Sequence, residues 1–146
     1  MKTIKLVIAV FISLLLIPVG NWINTNIMTG LPPVFLINFA CLVIWGNIAF
    51  FVKDKTISTK ATLVCMHIIP AGMLAITAYL EKVAKSFLIM PWGHIVQVFY
   101  APVMWLKLPA FGTSLVSIFL SCFLTMLGVA FMACKAKETV LIAKGE

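Results

Sequence analysis

Lys53-Asp54-Lys55-Thr56-Ile57-Ser58-Thr59-Lys60 is the stretch from which the rest of this chain can be placed. It separates two long apolar runs, residues 34–52 and 61–80. Each run is close to the ~20 residues a helix needs to cross the hydrocarbon core of a bilayer. A short loop carrying Lys53, Lys55 and Lys60 between two such helices is expected to stay in the cytoplasm, because insertion holds back lysine-rich short loops. With that loop assigned to the inside, the sidedness of every other segment follows.

Composition agrees with a bilayer environment. Of the 146 residues, 63% are hydrophobic and 10% charged, and the mean hydropathy is +1.15. A soluble domain averages about half apolar and about a quarter charged, so this chain has too little polar surface to face water. All 11 basic residues are lysines and the formal charge is +7. These lysines flank apolar runs, where they orient the chain and meet anionic head groups. That placement argues against nucleic acid as a partner, and the lack of arginine removes the side chain best suited to gripping phosphate. The cysteines, Cys41, Cys65, Cys122 and Cys134, form no C-x-x-C pair. They read as small, soft packing residues.

The amino terminus has Lys2 and Lys5 before an apolar run, as a signal peptide would. The run continues into Pro18-Val19-Gly20-Asn21-Trp22, which lacks the small-residue cleavage pattern. A retained first helix over 6–23 is the expectation, with Pro18 kinking its last turn. Gly30 and Pro32-Pro33 then turn the chain on the outer side. The stretch 86–106 is long enough to span, but Pro91, Gly93 and Pro102 interrupt it and it is rich in Trp, Tyr, His and Gln. Backbone broken in this way is tolerated at membrane depth only when buried in protein or lining a wet cavity. The lysines decide its path. If it does not span, Lys2, Lys5, Lys53, Lys55, Lys60, Lys135, Lys137 and Lys144 are inside and only Lys82, Lys85 and Lys107 outside. If it spans, the split falls to six against five, so the first arrangement fits the positive-inside tendency better.

The expected architecture is one membrane-embedded domain over residues 1–146, an all-α integral membrane protein of four transmembrane helices in a bundle. The helices cover 6–23, 34–52, 61–80 and 111–134, with an interfacial or re-entrant segment at 86–106 between the third and fourth. Both termini are expected in the cytoplasm, and a bacterial cytoplasmic membrane is the expected location. The tail 135–146 is polar enough to leave the bilayer.

Residues suited to catalysis are scarce. Asp54, Glu81, Glu138 and Glu146 all fall outside the apolar runs, so no carboxylate pair is available for acid–base work or proton relay in the membrane. No catalytic residue, metal site or cofactor is expected. His67, midway along the third apolar run, is the one ionisable group placed deep in a span. It lies on a face with Ala71, Ala75 and Ala78 and reads as a neutral histidine bonding across a close interface. Asn38 and Asn47 are nine residues apart, on opposite faces of the second helix, each expected to bond a different neighbouring helix. In the last helix Ser114, Ser117, Ser121, Thr125 and Gly128 recur at intervals of three and four, a small-residue stripe suited to close helix contact within the chain or with a partner. Asn21, Asn24, His94, Gln97 and Tyr100 could line an outward-facing polar pocket.

Sparse polar chemistry and short loops favour a non-enzymatic protein that binds a partner in the bilayer, either another membrane protein or a further copy. Such a protein would be an accessory subunit of a membrane complex or an immunity-type protein that blocks a toxin. A small oligomeric transporter or channel is the alternative, and a membrane enzyme or electron carrier using His67 is the third.

Overall fold

The computed structural model describes residues 2–26, 34–85, 91–103 and 114–143. Among these residues every element is helical: α1 (Lys2–Ile12), a 3-10 turn (Ser13–Leu15), α2 (Leu16–Asn26), α3 (Val34–Val52), α4 (Thr59–Lys82), α5 (Trp92–Tyr100) and α6 (Leu115–Ala143). Among the described residues three stretches are long and apolar enough to cross a membrane: Thr3–Asn26, Thr59–Lys82 and Leu115–Ala143. The fourth apolar helix, α3, has 19 residues. The expected turn at Gly30 and Pro32-Pro33 lies outside the described residues, as do 86–90 and 104–106 of the interrupted stretch.

The break between α1 and α2 has a chemical cause. Pro18 has no N–H to donate to the carbonyl four residues earlier, that of Leu14. The backbone tightens to 3-10 geometry around that carbonyl, at Ser13–Leu15. The irregularity therefore precedes the proline and sits mid-helix, where a kink in the last turn was expected. In α4, Pro70 is accommodated without ending the helix. Ser58 starts α4 by accepting the Ala61 N–H on its hydroxyl at 3.2 Å.

Helix α6 runs to Ala143, nine residues beyond the expected end of the span, so residues 135–143 continue the helix. It packs along both α3 and α4, α1 packs on α4 and α3, and α5 packs on α2 and α4. The core face of α3 carries Asn38, Leu42, Trp45, Ala49 and Val52, and that of α6 carries Phe119, Cys122, Met126, Ala130 and Cys134. Steps of three and four along each helix keep these residues on one side.

One end of the molecule is tied by charge. Lys5 of α1 donates to Asp54 at 2.6 Å. Lys53 is almost fully buried and lies 3.2 Å from the Asp54 carbonyl and 3.6 Å from the Glu138 carboxylate. The Thr59 hydroxyl also donates to Glu138, and Lys135 does so at 2.8 Å. These contacts bring together the start of α1, the α3–α4 loop and the last turns of α6. At the other end, the Glu81 carboxylate accepts the N–H of Val116 at 2.9 Å. A negative group is favoured there, where the amides of α6 point free.

Candidate functional site

Segment 91–103 reaches well below the rim of the helices. Trp92 is about half exposed at the level of Tyr79 and Leu80, which line the same groove. From there α5 descends until the Tyr100 hydroxyl donates to the carbonyl of Pro70 at 2.7 Å. Pro70 is the twelfth of the 24 residues of α4, about 18 Å along the helix from Lys82. The Cys122 thiol meets the Val103 carbonyl at 3.4 Å. Tyr100 stacks on Phe119 with ring centroids 5.0 Å apart, and Phe99 meets Tyr100 edge to face. Phe99, Tyr100 and Phe119 are fully buried and fill the space between helices. The approach is close because of Gly20. A Cβ there would lie 1.8 Å from the Val98 carbonyl oxygen, so only glycine lets α2 lie against α5.

His67 is buried at the same depth. Its Nδ1 lies 2.9 Å from the Leu63 carbonyl of its own helix. A carbonyl only accepts, so Nδ1 carries the proton and Nε2 presents a lone pair. Among the described residues Nε2 is buried without a hydrogen bond of normal geometry, near the Met126 backbone. The ring stands edge-on to Trp45 of α3 and Phe123 of α6, with centroids 5.7 and 5.6 Å away. Its hydrogen bond at normal length is to its own helix, and across the interface the ring meets two aromatic rings and comes near the Met126 backbone of α6. The Trp45 Nε1 and both amide atoms of Asn38 are likewise buried without a hydrogen bond among the described residues. Such groups in an apolar surrounding cost free energy that a polar partner would recover.

The two asparagines do lie on opposite sides of α3, Asn38 buried and Asn47 exposed. Neither bonds a neighbouring helix among the described residues. Asn47 instead donates to the Val43 carbonyl of its own helix at 2.8 Å. An amide four residues on can fold back to that carbonyl, and no described helix packs over it to offer another.

The small-residue stripe of α6 is buried to different degrees along its length. Ser114 caps the helix, its hydroxyl accepting the Ser117 N–H at 3.2 Å and meeting the Ser117 hydroxyl at 3.0 Å. Ser121 is buried and Thr125 half-buried, and their hydroxyls return to backbone carbonyls of Ile118 and Ser121. Gly128 is exposed, and a Cβ there would meet nothing within 4 Å. Phe119 and Cys122, on another face of α6, are fully buried as well. Both faces are apolar or small, so hydropathy alone does not separate them.

Asn21, Asn24, His94 and Gln97 are exposed on α2 and α5, which pack together. No hydrogen bond joins them among the described residues. Tyr100 belongs elsewhere, buried against Pro70, since the face of α5 that carries it is the one packed inward. Among the described residues no three His, Cys, Asp or Glu side chains could together hold a metal ion. Comparison with protein families, curated proteins and solved structures gave no match.

At the charged end, the Asp54 carboxyl is held below the usual carboxylate range by its hydrogen bond from Lys5. The Lys55 N–H and the Lys5 charge act in the same direction. The Lys137 ammonium lies 4.6 Å over the Phe50 ring, a cation–π contact.

Proposed function

We propose that this chain is a non-enzymatic membrane protein that binds a partner within the bilayer, as an accessory subunit of a membrane complex or as an immunity-type protein. The observation that carries this is the tight packing of the described interior. Phe99, Tyr100 and Phe119 fill the middle, and Lys53, Glu138 and Thr59 tie one end. A single copy then offers little room for a substrate path, and its outward helix faces are what remain for recognition.

The topology we propose has four spans, α1–α2, α3, α4 and α6, with 91–103 within a re-entrant segment and both termini in the cytoplasm. At 1.5 Å per residue the 19 residues of α3 cover about 28 Å, close to the apolar thickness of a bilayer. The Lys5–Asp54 and Lys53–Glu138 contacts support termini on one side, and the Tyr100–Pro70 bond supports re-entry. A reporter active only outside the cytoplasm, fused after Lys144, should be silent. Activity there would mean that 86–106 spans.

The transporter reading keeps one observation in its favour, the side-chain atoms of Asn38, Trp45 and His67 buried without a normal hydrogen bond among the described residues. Two measurements separate the readings. Purification at native expression in gentle detergent should recover the chain with a stoichiometric membrane partner, itself or another protein. The purified chain in vesicles should leave ion and solute gradients intact. Dissipation of a gradient by the chain alone would overturn partner binding in favour of transport.

A further inference from the structure

The outward face of α3 carries a polar group where lipid should be. Leu36, Phe39, Ala40, Val43, Ile44, Asn47 and Phe51 are the exposed positions described along this helix. At about 100° per residue they form one stripe, and Asn47 lies near its centre line. The flanking side chains are bulky and fully apolar: Phe39 is 66% exposed and Phe51 74%. Asn47 is five residues from Val52, about 7.5 Å from the end of the helix. Its side chain is too short to reach the head groups from there.

The hydrogen-bond inventory of that amide is incomplete. A carboxamide has two N–H donors and an oxygen with two lone pairs. One N–H is used on the Val43 carbonyl. The second N–H and the oxygen have no partner among the described residues, and hydrocarbon offers none. An amide between membrane helices acts as a strong local attachment for this reason.

We propose that the α3 face is a dimer interface between two copies of this chain, with Asn47 bonding Asn47 of the second copy across a two-fold axis normal to the membrane. Two considerations choose a second copy as the occupant. Copies inserted with the same orientation have α3 parallel, so a residue on the axis meets its own counterpart at the same depth without any adjustment. An amide is also self-complementary: the free N–H of each copy can donate to the free oxygen of the other, closing two reciprocal bonds. A two-fold interface requires this kind of self-matching surface. Leu36, Ala40 and Val43 above and Phe51 below would meet their counterparts along the same seam, at the four- and three-residue steps that parallel helices use. The inference rests on α3 being a span, and it deepens the partner-binding reading by naming the partner.

The test uses the full chain in lipid vesicles at low protein density. Val43→Cys, one turn from Asn47 on the same face, should be joined to a second copy by a short bis-maleimide. Val64→Cys, exposed on α4, should not exceed the parent with its native cysteines. Adding Asn47→Leu should raise the dimer dissociation constant about tenfold, from two interhelical bonds of the size measured between membrane helices. Asn47→Gln, which keeps the amide, should restore most of the crosslinking, and this guards against a folding defect. Equal crosslinking with Asn47→Leu, or none at Val43→Cys, overturns the proposal. In the second case, a different protein recovered stoichiometrically at native expression leaves partner binding standing, whereas recovery of the chain alone removes both.

Discussion

Gly20→Ala should be among the most damaging small substitutions in this protein, since it adds one methyl group where backbone already stands. The new Cβ would lie 1.8 Å from the carbonyl oxygen of Val98, 2.8 Å from its carbon and 3.2 Å from Pro102 Cδ. The nearest obstacle is backbone within α5, so no rotamer change relieves it. To restore a contact of even 3.0 Å, α2 and α5 must separate by 1.2 Å. A gap of 0.5–1 Å already forfeits about a quarter to a half of the dispersion attraction across an interface. The residues that lose it include Ile23, Val98 and Phe99, all buried. Overpacking typically costs about 1–3 kcal/mol, and a fixed obstacle places this case near about 3 kcal/mol. For a chain of this size the melting temperature should fall by on the order of 10 °C, read by thermal unfolding in detergent. Gly72→Ala and Gly128→Ala are the controls, because a Cβ at either position meets nothing within 4 Å. If Gly20→Ala melted together with Gly128→Ala, the close approach of α2 to α5 would be wrong.

Phe119→Ala should cost about 3–5 kcal/mol, because this ring is fully buried and stacked on Tyr100; the same change at the outward-facing Phe131 should cost far less, and equal losses in thermal unfolding would refute the assignment of faces. His67→Ala should destabilise by about 2 kcal/mol through lost packing on Trp45 and Phe123, with no change in visible absorbance; a band in the parent that the variant lost would reveal a bound cofactor. Lys5 holds the Asp54 carboxyl below its ordinary value of about 3.9, so the folded protein binds that proton less readily than the unfolded chain. Its contribution is therefore complete above that ordinary value and is lost as the pH falls through the folded one. The parent should lose melting temperature more steeply than Asp54→Asn on acidification from about pH 6 to pH 3, and parallel curves would count against the Lys5 contact.

The local chemistry of the sequence was enough to locate α3 and α4, but not the continuation of α6 to Ala143. Apolar runs end where lysines begin, and α3 at Val34–Val52 and α4 within two residues of 61–80 follow directly. Asn38 and Asn47 fall on opposite faces because nine residues make two and a half turns. The direction in which each face points was not legible. In water, a helix hides its apolar side and the pattern discloses the core. In a bilayer the lipid side is as apolar as the protein side, so the pattern pointed to the serine stripe of α6 and left Phe119, on the far side of that helix, to the lipid. Packing buried Phe119 and Cys122 together with Ser121 and left Gly128 exposed. The same holds for Tyr100, whose place depends on Gly20 admitting α5 against α2 and on the Pro70 carbonyl lying within reach, contacts 78 and 30 residues apart in the chain. Sequence determined which segments are apolar and long enough to form the main helices. The tertiary structure decided which sides of them face one another, because shape and hydrogen bonding make that choice where hydrophobicity is the same on both sides.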